Sequence, residues 1–363
     1  MSEHKHEFPC AQCGAQLRFA PGQRRLTCQY CGHEQAIPHT DEAREAALTT
    51  LDLREALANH LPPQAMEEHR LLGCSNCGAQ VEFDPAQHAA QCPFCGSPVV
   101  TDTGSHRQIK PAAVLPFKLT EREAHDAMRA WLGRLWFAPN KLKDYARADG
   151  SRLDGLYVPY WAFDSDTRSR YSGERGDAYY ETRTVTRDGK TSTEQVRKIR
   201  WTRVSGRVSR DFRDVLVMAA TSLPPNYTRN LEPWMLGELA PYNPQFLSGF
   251  RAEGYTVQLP EGHAQGIARM DEVIRQDVRR DIGGDEQRVH SVDTDHDNER
   301  FKHLLLPIWM AAYRYRDKSY RFVVNGQTGK VQGERPWSAW KIAGAVVLAV
   351  AVGAAVFYVT QMR

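Results

Sequence analysis

The eight cysteines of this 363-residue chain all fall before Gly96, and they repeat. Cys10-x-x-Cys13-Gly14-Ala15-Gln16 is echoed by Cys74-x-x-Cys77-Gly78-Ala79-Gln80, and Cys28-x-x-Cys31-Gly32 by Cys92-x-x-Cys95-Gly96. Every cysteine recurs 64 residues on, from Cys10 to Cys74 and onward, with Phe19 matched by Phe83 and Pro21 by Pro85. The module is duplicated.

Two residues between cysteines let a tight turn point both thiolates at one ion, and the following glycine accepts the positive φ that brings backbone close to sulfur. Fourteen residues separate the knuckles of each unit, Cys13 to Cys28 and Cys77 to Cys92. That is enough for a β-hairpin that folds the second knuckle onto the first. The spacing predicts two zinc ribbons, with Cys10, Cys13, Cys28 and Cys31 around one Zn2+ and Cys74, Cys77, Cys92 and Cys95 around another. Four thiolates at about 2.3 Å leave no position for water or substrate, so both ions are expected to be structural. Rubredoxin-like iron sites and redox dithiols share the short spacing, but two complete tetrads without a flavin or thioredoxin-like context favour zinc. His33, beside Gly32, reads as exposed.

The ribbons differ in charge. Arg18, Arg24 and Arg25 put a small basic patch on the first hairpin, whereas the second carries Glu82, Asp84 and Asp102 and has no Lys or Arg from Leu71 to Thr103. Phosphate binding needs several cations in one place, so nucleic acid is a candidate partner only for Arg18, Arg24 and Arg25, and a protein partner is favoured. The whole chain, with 47 basic and 44 acidic residues, has too little net charge to predict a polyanion partner. Met1 to Phe8 has no apolar run that could serve as a secretory signal, and cysteines confined to the N-terminal quarter speak for reduced thiols.

From Ile342 to Thr360 the chain runs 19 residues without a charge. At 1.5 Å per residue that nearly matches a hydrocarbon core of about 30 Å. Trp337, Trp340 and Tyr358 flank it at the headgroup levels, and Lys330, Arg335 and Lys341 precede it against Arg363 alone after it. The segment is expected to be a single-pass tail anchor in the inner membrane, with the N-terminal bulk in the cytoplasm. Gly344 and Gly353 lack the spacing of a helix-dimer seam.

Between ribbons and anchor the pattern is mixed. Thr40 to Asn59 reads as a spacer helix, and Thr120-x-x-Glu123 is a capping box opening a helix with Ala124, Ala127, Met128, Trp131, Leu132 and Leu135 inward. Leu156-Tyr-Val-Pro159-Tyr-Trp161 and Leu305-Leu-Pro307-Ile-Trp309 look like matched strands of a second duplication. Hairpins are expected over 179–201 and 314–331, a turn or two over 244–250, and a helix over 261–281. The class is α+β: ribbons at 1–38 and 71–103 around a helical spacer at 39–70, a β-rich body at 111–336, and a membrane helix at 342–360.

Catalytic motifs are missing. His290, Asp293, Asp295, His296 and Asp297 form the one dense His/Asp cluster, in a stretch that reads as a strand entering a polar turn. Gly326-Gln-Thr-Gly329-Lys330 has two residues between its glycines where a phosphate loop needs four, and Val331 follows the lysine.

The order of paired ribbons, the Tyr-Val-Pro-Tyr-Trp strand, Gly237-Glu-Leu-Ala-Pro-Tyr-Asn-Pro244, Val324-Asn-Gly-Gln-Thr-Gly-Lys-Val331 and a terminal helix resembles the bacterial transcription-factor-IIB-type zinc-ribbon membrane proteins. Members are often labelled primosomal protein N′ (replication factor Y), a superfamily II helicase. A helicase needs a phosphate loop and about two motor domains that this chain lacks, so the label implies no ATPase here. The expected function is a non-enzymatic zinc-binding adaptor at the membrane. The alternative is a membrane-tethered DNA-binding protein of replication or transcription.

Overall fold

The computed structural model describes residues 8–38, 45, 49–58, 60–82, 92–95, 97, 101–137, 153–187, 190–315, 318–334 and 338–361. Its elements are, in chain order, β1 Leu17–Phe19, β2 Arg25–Cys28, β3 Glu34–Ala36, β4 Leu51–Asp52, α1 Leu53–Leu57, β5 Met66–Gly73, β6 Gln80–Glu82, β7 Thr101–Ile109, β8 Ala113–Val114 and α2 Glu121–Gly133. There follow β9 Asp154–Arg187, β10 Lys190–Met218, α3 Pro225–Leu231, β11 Ala240–Pro241, β12 Arg251–Ala252, α4 Leu259–Ile282, β13 Glu286–Tyr315, β14 Lys318–Asn325, β15 Val331–Gly333 and α5 Ala339–Gln361. The α+β class holds: two four-cysteine clusters, a β-rich body and one C-terminal apolar helix.

Each ribbon is a three-stranded antiparallel sheet, β1-β2-β3 and β6-β5-β7. The spacer helix expected over Thr40 to Asn59 falls largely outside the described residues, and its described end differs from expectation. Leu51 and Asp52 pair with Phe301 and Arg300 of β13, so Leu51 sits in a strand, not on a helix face. Asp52 then caps the short α1 by accepting from the N–H groups of Arg54 and Glu55, at 2.9 and 3.1 Å.

The main sheet runs β10-β9-β13-β14-β15. At its centre β9 and β13 lie antiparallel with Pro159 opposite Leu305, Val158 opposite Leu306 and Tyr157 opposite Pro307. The two Pro-x-Trp strands thus face each other, and their surroundings match. Trp161 donates its indole N–H to the carbonyl of Val257, two residues ahead of α4, and Trp309 donates to that of Leu119, two residues ahead of α2, both at 3.0 Å. The backbone N–H of Leu115 bonds Leu305 and that of Glu253 bonds Tyr157, both at 2.9 Å. Lys118 and Leu119 both donate to Gly326, as Thr256 and Val257 both donate to Ala219. Short β8 adds parallel to β13, and short β12 parallel to β9. The body is therefore two helix–strand–hairpin repeats about a local two-fold between Val158 and Leu306, each tryptophan tied to the other repeat's helix.

Antiparallel repeats send their hairpins in opposite directions. The β13–β14 hairpin is short, whereas β9 and β10 are 34 and 29 residues long, and β9 runs about 110 Å at 3.3 Å per residue from the centre of the body to the end of the arm. These strands are far longer than the hairpin expected at 179–201. The reason lies in the pairing: β10 follows β9 from Lys190 to Met218, and β13 backs β9 as far as Gly176. The second expected hairpin forms about Asn325-Gly326 as β14 and β15, with Val324 opposite Val331, while Arg314 at its expected start belongs to the end of β13.

Helix α4 packs along the inner part of the arm through Met270, Ile274, Val278 and Ile282. Gly262 and Gly266 let it approach the sheet. A Cβ at Gly262 would come within 2.4 Å of Trp161, and one at Gly266 within 2.8 Å of Phe163. At α2 the capping box forms as expected, with Ala124, Met128 and Leu132 buried and Ala127, Trp131 and Leu135 partly so. The turn at 244–250 is a 3-10 helix, Pro244–Leu247.

Gly262→Ala is expected to destabilise the chain by about 1–3 kcal/mol through overpacking against Trp161. Trp161→Phe and Trp309→Phe should each lose about 1 kcal/mol as equivalent bonds break. Guanidinium titration of the detergent-solubilised chain measures all three, and an unchanged midpoint for Gly262→Ala would contradict the close helix–sheet contact.

Candidate metal centres

Three of the four knuckles are visible to their glycine, and they share one backbone pattern. In each, the carbonyl of the first cysteine accepts from the glycine four residues on: Cys10 from Gly14 at 2.8 Å, Cys28 from Gly32 at 3.0 Å and Cys74 from Gly78 at 2.9 Å. The first cysteine's N–H then reaches a carbonyl five residues on, in Ala15, His33 and Ala79. The glycines have φ of +72°, +73° and +73°, where a side chain would be strained. The fourth knuckle closes in the same way from Cys92 N–H to Ser97, while Gly96 lies outside the described residues.

These turns bring the thiols together. Cys10 and Cys31 lie 3.6 Å apart and Cys13 and Cys28 3.5 Å; Cys74–Cys95 and Cys77–Cys92 are both 3.6 Å. Bonds of 2.3 Å to a central ion give a tetrahedron edge of about 3.8 Å, and a disulfide would need about 2.05 Å. The four sulfurs of each set lie within 4.8 Å of one another, and each set could hold one metal ion. The donor set is that of structural zinc, with all four positions taken by thiolate.

Backbone N–H groups of Cys31 and Tyr30 hold the Cys28 thiol down to about 6, and the Cys92 thiol hydrogen-bonded to Cys77 holds Cys77 down to about 5. Their partners move the other way: Cys13 is pushed up to about 12, and Cys92, bonded to Cys77, rises as well. Each tetrad thus keeps a thiolate ready at neutral pH to begin capture of a cation.

The sequence did not single out Ser97. Its hydroxyl lies 2.8 Å from Cys95 Sγ and 3.5 Å from Cys74 Sγ, where it can donate to one ionised thiolate. The only signal for it was its place directly after the knuckle glycine. His33, at the matching position of ribbon 1, is half-buried, not exposed, because its carbonyl closes the Cys28 knuckle.

Both ribbons are packed onto the body. Phe19 meets Phe246 and Phe250 with ring centroids at 5.4 and 6.2 Å, Phe19 N–H bonds Ser248, and Gly22 N–H bonds Phe117. In ribbon 2, Gln80 accepts from Gly254 N–H at 3.0 Å, and Ile109 N–H bonds the Tyr255 hydroxyl at 3.1 Å. Cys10 and Cys28 join the core of the first repeat, and Cys74, Cys92 and Cys95 that of the sheet.

Arg18 lies on the exposed face of β1, its stem over Gly249. Arg25 is ion-paired with Glu34, and Arg24 sits in the turn between. The acidic surface expected on the second hairpin involves Asp84, outside the described residues. The His290 to Asp297 stretch is not a turn. It continues as strand through β13, with bulges at Val289/Ser291 and Asp297/Arg300, because β9 supplies its backbone partners. Pleating divides the cluster. Asp293 and Asp295 lie 4.0 and 3.5 Å from Arg170 and Asp297 3.8 Å from Arg168, while His296 bonds Ser165 at 3.1 Å. Among the described residues only the two cysteine tetrads gather three or more ligand atoms of His, Cys, Asp or Glu.

No family model matches the chain, and no solved structure matches it. It is similar to an uncharacterized protein of Bacillus subtilis (strain 168), YdjG, at 26% identity over 340 residues, which covers 93% of this chain and 92% of the relative.

Replacing one tetrad, by Cys28→Ser with Cys31→Ser or by Cys74→Ser with Cys77→Ser, should lower the zinc content by one ion per chain by elemental analysis. In metal-free protein the depressed thiols stabilise the fold fully above the free-thiol pKa of about 8.5. That contribution is lost as pH falls through about 6 for Cys28 and about 5 for Cys77. Chelator-treated protein should therefore melt progressively lower from pH 8 to pH 5, whereas a flat profile would contradict the shifts.

Proposed function

We propose that the protein is a zinc-binding adaptor held at the cytoplasmic face of the inner membrane, carrying a long β arm into the cytosol. The observation that carries this reading is the placement of arm and anchor. Strand β15 leaves the sheet toward the tip of the β13–β14 hairpin, the end opposite the arm. The chain then enters α5, where Ser338 N–H bonds Phe137 beyond the end of α2.

Helix α5 is long and apolar enough over Trp340–Tyr358 to cross a membrane, and none of that span is buried against the body. A helix with apolar side chains all round and no protein cover is stable in lipid and costly in water. The cations before it favour keeping the body in the cytoplasm. From that base the arm projects away from the bilayer. Its outer part, residues 177–187 with 190–200, extends past the last β13 partner, Glu286 opposite Gly176, and exposes Tyr179 and Tyr180.

Closed thiolate tetrads bind no substrate, which fits a scaffold. The DNA-binding alternative rests on Arg18, Arg24 and Arg25. Glu34 already offsets Arg25, which leaves fewer cations than a phosphate-binding surface uses. The resemblance to transcription-factor-IIB-type zinc-ribbon membrane proteins agrees with ribbons and anchor in one chain.

Removing residues 342 to 363 should move a folded, zinc-loaded protein from the membrane to the soluble fraction. Retention of that truncated form on inner-membrane vesicles after a salt wash would defeat the anchor. For the adaptor role, a photo-crosslinking residue at Tyr180 should capture the same protein partner in cells that deletion of residues 177–200 loses. Salt-dependent DNA binding abolished by Arg18→Ala and Arg24→Ala would instead establish the alternative.

A further inference from the structure

The two-fold repeat of the body supplies an internal control: positions that correspond should carry similar residues unless something is asked of one and not the other. Around Trp309 the first repeat is apolar. Leu115 is fully buried, Phe117 lies 5.0 Å from Trp309, and Gly155, opposite Trp309 in the sheet, makes room for Phe250, which stacks on Phe117 at 4.3 Å. Around Trp161 the corresponding residues are polar. Glu253 stands where the first repeat has Leu115, Tyr255 where it has Phe117, and His303, opposite Trp161, where it has Gly155.

These polar side chains are buried. Glu253 is 3% exposed; one carboxylate oxygen accepts from Ser222 at 2.9 Å, and Oε1 has no donor within hydrogen-bond distance. His303, 4% exposed, has Nδ1 at 2.7 Å from the carbonyl of Ile109. A carbonyl only accepts, so Nδ1 carries the proton; in the neutral imidazole Nε2 then carries the lone pair, the tautomer a backbone carbonyl imposes on metal-binding imidazoles. Gln108 Nε2 donates to the Tyr255 carbonyl at 3.1 Å, which leaves its Oε1 as an acceptor. All three residues line one cavity of about 30 Å³ between ribbon 2, the segment before α4 and β13. Leu71, Pro111, Leu247, Ala252 and Leu305 make most of the remaining wall.

We propose that this cavity is a third metal site, in which Glu253 Oε1, His303 Nε2 and Gln108 Oε1 hold one divalent transition-metal cation. A carboxylate, an imidazole nitrogen and an amide oxygen are the borderline donor set of Zn2+, Mn2+ or Co2+, unlike the all-sulfur ribbons. Space limits the occupant to an ion with a water or two and excludes an organic cofactor. Charge points the same way. A buried carboxylate is costly unless a cation lies beside it, so an occupant that keeps Glu253 ionised must be positive. A ribbon-2 tetrathiolate stays negative even with its own ion bound, and the stretch from Leu71 to Thr103 holds no Lys or Arg to offset it. The site spans the docked ribbon through Leu71 and Gln108 and the body through Glu253 and His303, so its metal would pin ribbon 2 in place.

The test is cobalt and zinc stoichiometry of the full chain in detergent, metal-stripped and refilled. Thiolate-to-cobalt absorption counts the two ribbon sites, and total metal by elemental analysis counts all sites. Three ions per chain are expected for the native protein, two for Glu253→Gln and two for His303→Gln, with thiolate-to-cobalt absorption unchanged. Glu253→Leu, which installs the residue type of the matched position, should also bind two ions and keep the ribbon signal, which covers the case in which the polar variants fold poorly. Two ions in the native chain, or three in both Glu253→Gln and Glu253→Leu, would overturn the proposal and leave a water-bridged polar cluster.

Discussion

The antiparallel pairing of β9 with β13 across Val158 and Leu306 is the contact on which the rest of the molecule hangs. It joins the two repeats, sets their hairpins in opposite directions, and presents each tryptophan to the segment that leads into the other repeat's helix. Non-local strand pairing has an entropic cost that is recovered only when the helices close over the sheet. The matched indole bonds and the glycines of α4 show that closure being made at short range.

Zinc and sheet support each other. A ribbon of three short strands cannot bury enough apolar surface to stand alone, and its metal supplies the missing stabilisation. Here the ribbons also lend apolar residues to the body: Leu17, Phe19 and Leu26 on one side, Ala79 and Phe94 on the other. Burying each such Phe contributes about 1.5–3 kcal/mol, so ribbon and body are mutually stabilised through docking. The two docking sites diverged, one filled by Phe250 and the other lined by Glu253 and His303.

Local signals in the sequence suffice where the chemistry is local. The knuckle turns need only the cysteine spacing and a following glycine, and the α2 capping box needs only Thr120 and Glu123. The helix over 261–281 followed from its apolar period, and α4 exceeds it by two residues at the start and one at the end. Strand lengths are not legible along the chain, because polar residues such as Asp293 and Asp295 look like turn residues until a neighbouring strand satisfies their backbone and Arg170 their charge. Leu51, within the Thr40 to Asn59 stretch of helical pattern, is a strand residue for the same reason, since β13 recruits it.

By itself the sequence determined the two thiolate tetrads, the apolar terminal helix and the existence of a repeated Pro-x-Trp strand, because each depends on residues close together in the chain. Only the tertiary structure decided that the repeated strands pair with each other, that the ribbons share the body's cores, and that Glu253, His303 and Gln108 meet at one cavity. Those three residues are separated by as much as 195 positions, from Gln108 to His303, and no pattern along the chain encodes which buried acceptors will be left facing the same small space.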